Sequence, residues 1–219
     1  TRRGELVTDF PLNIEIEPTY FCNLKCPFCP RYVNFGERNT RDSHMSSDLF
    51  SKIIEECKQH KIPAVQYDHE AEPLMHPEYY NMLKKANDAG IFDQWLHTNG
   101  LMLSEKNSEK LIDNGLKKIN ISVDAFKEDT YEKLRVGGKL SKLKKNIHNF
   151  LKIKKEKKAS YLRVRVSMVE QQENFSEKRD FFNYWSKQEG VNMITFQKCE
   201  DFKRFEKPDP DTDLTEKQL

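Results

Sequence analysis

The sequence predicts an α/β fold built on one parallel sheet, open or curled into part of a barrel. Two observations carry this. β-prone stretches recur six times along the 219 residues, and helical apolar stripes fall between them in βαβα order. Strands separated by helices need crossover connections, which bring successive strands side by side in parallel.

The first strand is expected at Leu12–Ile16, and the first helix carries Leu49, Phe50, Ile53, Ile54 and Cys57 at helical spacing. A second strand at Ala64–Tyr67 precedes a helix with Tyr79, Met82, Leu83 and Ala86 on one face. The third strand, Phe92–Leu96, leads to a shorter helix through Leu111 and Ile112 that stops at Gly115. The fourth strand is Lys118–Val123. The next helix sets Leu140, Leu143, Ile147 and Leu151 among lysines, and Leu162–Val169 and Asn192–Phe196 complete the six strands. In sheets of this kind ligands bind beyond the carboxyl ends of the strands, so function is expected just after each one. No internal repeat is present, and the acidic, proline-bearing "EKPDPDTD" marks the end of the globular pattern.

Composition narrows the class. A hydrophobic content of 37% supports a packed core, and with 33% charged residues, a mean hydropathy of −0.84 and no apolar run approaching the roughly 18 residues needed to cross a bilayer, neither a membrane span nor a secretory signal is expected. A cytoplasmic protein is expected. Net charge is +2, yet residues 139–158 hold nine lysines against one glutamate, so this segment is +8 and the remainder −6. With apolar residues at helical spacing inside it, the block reads as the solvated face of an amphipathic helix, and a nucleic-acid partner is not expected.

Five cysteines are an odd number in a chain too large to need disulfide staples, so reduced thiols with metal or redox work are expected. Three of them, Cys22, Cys26 and Cys29, stand in "TYFCNLKCPFCPR". They occupy a loop of about 26 residues after the first strand, where such connections ordinarily take roughly 2 to 6. A structural zinc site needs four ligands, and no second CxxC or HxxxH pair follows, which leaves His44 as a distant fourth. Cys57 belongs to an apolar stripe and reads as core. Cys199, after the sixth strand, is a weaker ligand candidate. Three thiolates on a four-iron cluster leave one iron open to a non-protein ligand, and that is the chemical use of the missing fourth.

CxxxCxxC after a first strand, with aromatic Phe28 before the last cysteine, resembles the radical SAM superfamily. The resemblance implies a partial (βα)6 barrel, an incomplete TIM-like barrel. It also implies a 4Fe–4S cluster on Cys22, Cys26 and Cys29, with S-adenosylmethionine (SAM) on the open iron. Reductive cleavage of SAM would give a 5′-deoxyadenosyl radical that abstracts hydrogen from substrate, an oxidoreductase-like activity. Further matches extend over residues 12 to about 170. "EAEPLMHP" is similar to the family's GGEP turn, with Glu72 and Pro73 matching and Glu70 and Ala71 in place of the glycines. "HTNG" supplies Asn99 and Gly100, and "SVDA" supplies Ser122 and Asp124. In "RVRVSMV" the polar residues alternate, and Arg165, ahead of Arg163, suits the SAM carboxylate. By this resemblance Phe28, Glu72, Asn99, Ser122, Asp124 and Arg165 surround SAM. His76 and His97, each beside a matching turn, read as hydrogen-bonded structural residues.

"CPFCPR" followed by "RDSHMSSDLF" resembles members that carry a SPASM or twitch module. The expected division is therefore a core over 1–197 and a tail over 198–219. That tail is expected to lead to an auxiliary iron–sulfur module, for which Cys199 is an early ligand candidate, the alternative being a free thiol at a strand end. Expected partners are a sugar-like small molecule or a peptide as substrate, and flavodoxin or ferredoxin as electron donor, with no membrane. The reading from another class is a non-catalytic iron–sulfur or zinc module.

Overall fold

In the computed structural model, which describes residues 9–31, 44–68 and 70–199, six strands lie side by side in the order of the sequence. They are β1 (Asn13–Ile16), β2 (Ala64–Tyr67), β3 (Asp93–Thr98), β4 (Lys118–Ser122), β5 (Arg163–Glu170) and β6 (Met193–Lys198). Every neighbouring pair is parallel, with Ile14 opposite Val65, Val65 opposite Gln94, Leu96 opposite Ile119, Ile121 opposite Val166 and Val166 opposite Ile194. β1 and β6 form the two edges, so the sheet is the unclosed, partial TIM-like barrel expected.

Among the described residues six α-helices with defined bounds lie in the crossovers: α1 (Ser47–Gln59), α2 (Tyr79–Asp88), α3 (Glu105–Asp113), α4 (Glu128–Leu134), α5 (Leu140–Glu156) and α6 (Lys178–Trp185). α1 and α3 begin where Ser46 and Ser104 turn their hydroxyls back to accept the N–H groups of Leu49 and Asn107, relieving donors with no intrahelical partner. The apolar stripes bury Phe50, Ile54 and Cys57 on α1, Tyr79, Met82, Leu83 and Ala86 on α2, and Leu140, Leu143, Ile147 and Leu151 on α5, but Leu49, expected on the α1 stripe, is 49% exposed in the helix's first turn and Ile53 is only partly buried. α4 and α6 have no counterpart among the predicted stripes. α4 has only seven residues, two of them buried, too few to show a period.

Alternation along the strands separates two faces. Val65, Tyr67, Leu96, Ile119, Ile121, Val164, Val166 and Met168 are fully buried in the core with the helices. Intervening positions on the opposite face are polar or amphipathic: Gln66, Trp95, His97, Asn120, Ser122 and Arg165. A parallel sheet covered on both faces would read as continuous apolar runs. The alternation therefore marks a barrel whose inner face is wet.

Strand limits shift slightly from expectation. Phe92 lies outside β3 and is 76% exposed, whereas His97 and Thr98 extend that strand, Thr98 pairing with Ile121. β6 runs on to Lys198 because Glu170 of β5 offers it a partner. Within the lysine-rich α5 most lysines are exposed, but Lys154 is buried and donates to the Gly190 carbonyl at 2.9 Å and the Asn192 side-chain oxygen at 3.1 Å. Residues 200–219, including most of the expected tail, lie outside the described residues.

Candidate active site

A cavity of about 330 Å³ opens at the carboxyl ends of the strands, where the parallel fold places ligands. Cys22, Cys26, Cys29 and Phe28 line it from the long loop between β1 and α1. Ala71 and Glu72 come from the turn after β2, Thr98 and Asn99 from the end of β3, and Ser122 from the end of β4. Four separate stretches named from the sequence thus meet at one opening.

The loop is fastened on both sides. Thr19 bridges to His44, whose ring also takes a 2.9 Å hydrogen bond with the Thr19 hydroxyl and packs on Phe21. His44, considered as a distant metal ligand, is engaged there and does not line the cavity. The Lys25 N–H donates to the Val136 carbonyl at 3.0 Å, and the Asn99 side-chain amide donates to the Asn23 oxygen at 2.8 Å.

Each thiol has a polar neighbour. The Asn99 amide stands 4.0 Å from the Cys22 sulfur, an Arg135 guanidinium nitrogen 3.5 Å from that of Cys26, and the Glu70 carbonyl 3.9 Å from that of Cys29. Burial pushes the Cys22 thiol up to about 11 against an opposing backbone hydrogen bond at Leu24. Burial also raises Cys26, with the Arg135 charge pulling the other way. Among the described residues no three His, Cys, Asp or Glu side chains converge on a single-ion site. The three thiols line one wall without meeting at a point. This donor set fits a four-iron cluster of which three irons would each take one of these sulfurs, with nitrogen donors turned toward those of Cys22 and Cys26.

Glu72 is 1% exposed and braces the site. One carboxylate oxygen accepts the Thr98 hydroxyl at 2.7 Å and the Leu74 N–H at 3.3 Å, while the other accepts the Asn99 N–H at 2.8 Å. Burial still pushes its pKa up to about 7, the hydrogen bonds from Asn99, Thr98 and Leu74 opposing. Gly100 follows with φ +74°, and a Cβ there would stand 2.5 Å from Leu143 Cδ1 and 2.9 Å from Ile121 Cγ2. That combination restricts the position to glycine.

Two expected SAM contacts lie elsewhere. Asp124 does not line the cavity; it is fully buried behind its wall, ion-paired with Arg135, and its second oxygen accepts the Val169 N–H at 2.6 Å. Arg165 sits deeper in the barrel, donating to the Asn120 oxygen at 2.9 Å with its guanidinium carbon 4.6 Å from the Trp95 ring centre. Its register opposite Asn120, one inward-facing position below Ser122, accounts for the depth. Arg163, the alternative, is exposed. His76 is structural, hydrogen-bonded to the Met45 carbonyl at 3.0 Å, whereas His97 lines the cavity and pairs with Asp68 at 2.7 Å. Sequence reasoning passed over Arg135 and Asp68. The "GG" turn that follows Arg135 and Val136 was the available signal, since paired glycines often mark a close backbone approach. Cys199 lines the cavity mouth, at the end of β6.

A family model described as the radical SAM superfamily matches residues 16–165, a span holding the three cysteines and the turns after β2, β3 and β4. The chain belongs to the radical SAM superfamily. Members use a 4Fe–4S cluster and SAM. Over 152 residues the chain is 31% identical to a probable GTP 3′,8-cyclase of Methanococcus maripaludis, a match covering 69% of this chain and 48% of that protein. It is likewise 31% identical over 146 residues to GTP 3′,8-cyclase of Clostridium perfringens, 64% of this chain and 44% of that one. The chain spans about half the length of the curated relatives it matches. Among solved structures, SuiB of Streptococcus suis bound to S-adenosylmethionine superposes with a TM-score of 0.67 at 19% identity, covering 88% of this chain and 41% of SuiB. Methylornithine synthase (PylB) gives 0.64 at 15% identity, over 86% of this chain and 53% of that one. At such identities the likeness shows the shared radical SAM fold alone.

Proposed function

We propose that this radical SAM chain is the catalytic core of an enzyme that takes a hydrogen atom from a polar small molecule. One observation carries the reading: Cys22, Cys26 and Cys29 share a cavity with Glu72, Asn99 and Ser122 at the carboxyl ends of three strands. The three thiolates would hold three irons of the cluster and leave the fourth for the amino and carboxylate groups of SAM. When bound, cluster and SAM supply a 5′-deoxyadenosyl radical through one-electron cleavage of the sulfonium.

The chain's own residues bind and orient. Asn99 ties the cysteine loop to β3 through Asn23, and Glu72 holds the turns after β2 and β3 at a fixed spacing. Phe28, with the Arg135 guanidinium over its ring, and Ser122 line the same cavity and offer it an aromatic side chain and a hydroxyl. Arg165, stacked on Trp95, belongs in this proposal to the substrate chamber rather than to SAM. Gln66, Asp68, His97 and Asn120 face the same interior, and such groups suit a hydroxyl-rich or sugar-like substrate better than an apolar one. The relatives named GTP 3′,8-cyclase act, by that name, on a nucleotide, which agrees with this chemistry. The peptide reading rests on SuiB, solved with precursor peptide SuiA, a likeness of fold.

In the same proposal the electron comes from a flavodoxin or ferredoxin, and the protein works in the cytoplasm; among the described residues no helix is long and apolar enough to cross a membrane. The core over 1–197 ends as β6 closes at Lys198, and an auxiliary iron–sulfur module beyond it remains part of the proposal. Anaerobic reconstitution with iron and sulfide is the test. About four irons on residues 1–219, and 5′-deoxyadenosine formed from SAM under dithionite, support the cluster and SAM reading, while an auxiliary module adds irons beyond these four in a protein that carries it. A holo-protein with one zinc and no iron, or a loaded cluster that leaves SAM intact, overturns it.

A further inference from the structure

Arg135 is a nearly buried charge at the cavity wall that the binding roles above leave unused. It follows α4 directly, and its side chain is 12% exposed. Two of its nitrogens, Nε and Nη2, lie against one oxygen of Asp124, while Nη1 donates to the Cys26 sulfur at 3.5 Å. The guanidinium carbon stands 5.5 Å from the centre of the Phe28 ring. A rigid fork of donors can satisfy a carboxylate on one side and still aim a third N–H elsewhere, which an ammonium cannot do in one geometry.

Asp124 is itself immobilised. Its other oxygen accepts the Val169 N–H at 2.6 Å, its carbonyl accepts the Asn174 amide at 2.8 Å, and its backbone is left-handed at φ 60°. The direction of the third N–H is therefore set by β4 and β5. The cysteine loop rests on the same turn: Lys25 N–H bonds the Val136 carbonyl at 3.0 Å, and a Cβ on Gly137 would come within 3.4 Å of the Asn23 carbonyl. By contrast the polar neighbours of Cys22 and Cys29 are neutral, an amide and a backbone carbonyl.

We propose that Arg135 is a positioning residue, a cationic hydrogen-bond donor to the Cys26 thiolate that is pinned by Asp124 and raises the reduction potential of the cluster those cysteines hold. The inference rests on the cluster reading above. Reduction adds negative charge to a cluster, so a hydrogen bond to a ligand sulfur favours the reduced state, and so does the Arg135 charge, which at Cys26 outweighs the opposing charge of its partner Asp124. Because Asp124 keeps the guanidinium from turning to solvent, the effect is built into the fold.

Anaerobic reconstitution of the parent protein, Arg135→Gln and Arg135→Lys, followed by redox titration monitored by electron paramagnetic resonance without SAM, tests it. Iron and sulfide counts on the parent check the cluster itself, and a parent that loads no iron overturns both readings. The midpoint alone reads the inference. Arg135→Gln is expected to shift the potential to a more negative value at unchanged iron content. Arg135→Lys should fall between, keeping the charge but losing the fork. A midpoint for Arg135→Gln equal to or above the parent's overturns the proposal; if that variant holds no cluster, an Arg135→Lys midpoint equal to the parent's does so. A purely structural role would lower iron content or thermal stability and leave the potential in place.

Discussion

The carboxylate of Glu72 accepts the backbone N–H of Asn99 at 2.8 Å, joining the turn after β2 to the end of β3 with neither residue more than 6% exposed. Burial outweighs that bond and its two companions and pushes the carboxyl up to about 7 from its ordinary 4.5. A carboxyl whose pKa is raised on folding binds its proton more tightly in the folded state. Between those two values the folded chain holds more protons than the unfolded one, and stability falls as pH rises through the window.

Glu72→Gln removes this titration. It also turns an NH2 group toward one of the donors from Leu74, Thr98 or Asn99, at a cost of about 1–3 kcal/mol. Urea unfolding of both proteins at about pH 5 and about pH 8 should show the parent's advantage shrinking as pH rises. An advantage that is constant or grows contradicts the raised pKa.

The cysteines divide by position. Cys22→Ala, Cys26→Ala and Cys29→Ala are each expected to lose the cluster and all 5′-deoxyadenosine formation, because three thiolates leave none in reserve. Cys57, buried in α1, should cost about 1 kcal/mol on replacement by Ala and leave iron content unchanged. Cys199 is the informative variant, since it lines the same cavity from β6. With a three-thiolate site, Cys199→Ala keeps about four irons and cleaves SAM. Loss of the cluster in that variant would make the site a four-thiolate one and close the iron that SAM needs.

Gly100 combines a left-handed backbone with two side chains crowded against the place of a Cβ. Gly100→Ala is expected to lower stability by about 2–5 kcal/mol, from backbone strain together with overpacking against Leu143 and Ile121. Thermal unfolding measures it, and a change below about 1 kcal/mol would mean that the Asn99–Gly100 turn has room to relax.

Six strands were legible because β-branched runs alternate with helical stripes, and the three cysteines because the length of their loop breaks that alternation. The turns after β2, β3 and β4 were legible as short matches at strand ends. The depth of each side chain was not. Ser122 and Asp124 are two residues apart, yet one faces the cavity and the other is buried behind it, since the left-handed backbone at Asp124 ends the strand's simple alternation. Arg165 and Ser122 lie on neighbouring strands at different heights, a relation fixed by register, which no single strand's pattern contains. Arg135 was hidden for another reason. It becomes part of the site only through α4, whose capping by Glu177, via the N–H groups of Phe126 and Lys127 and the Thr130 hydroxyl, depends on a contact about fifty residues away in sequence.

That difference in depth separates Ser122 from Asp124 experimentally. Ser122→Ala removes a hydroxyl from the cavity rim and leaves the core intact, so SAM affinity should fall roughly five- to thirtyfold, about 1–2 kcal/mol, with normal cluster absorption and an unchanged melting temperature. Asp124→Ala leaves the Arg135 guanidinium buried without its partner, a change that costs about 3–5 kcal/mol when a buried pair is broken. It should therefore unfold at lower temperature and load less iron, because Arg135 and the adjoining turn support the cysteine loop. Calorimetric titration of SAM into both reconstituted variants, beside their thermal melts, reads the two effects separately. If Asp124→Ala folds and loads iron like the parent but binds SAM weakly, Asp124 reaches the cofactor after all and the buried ion pair is not its main work.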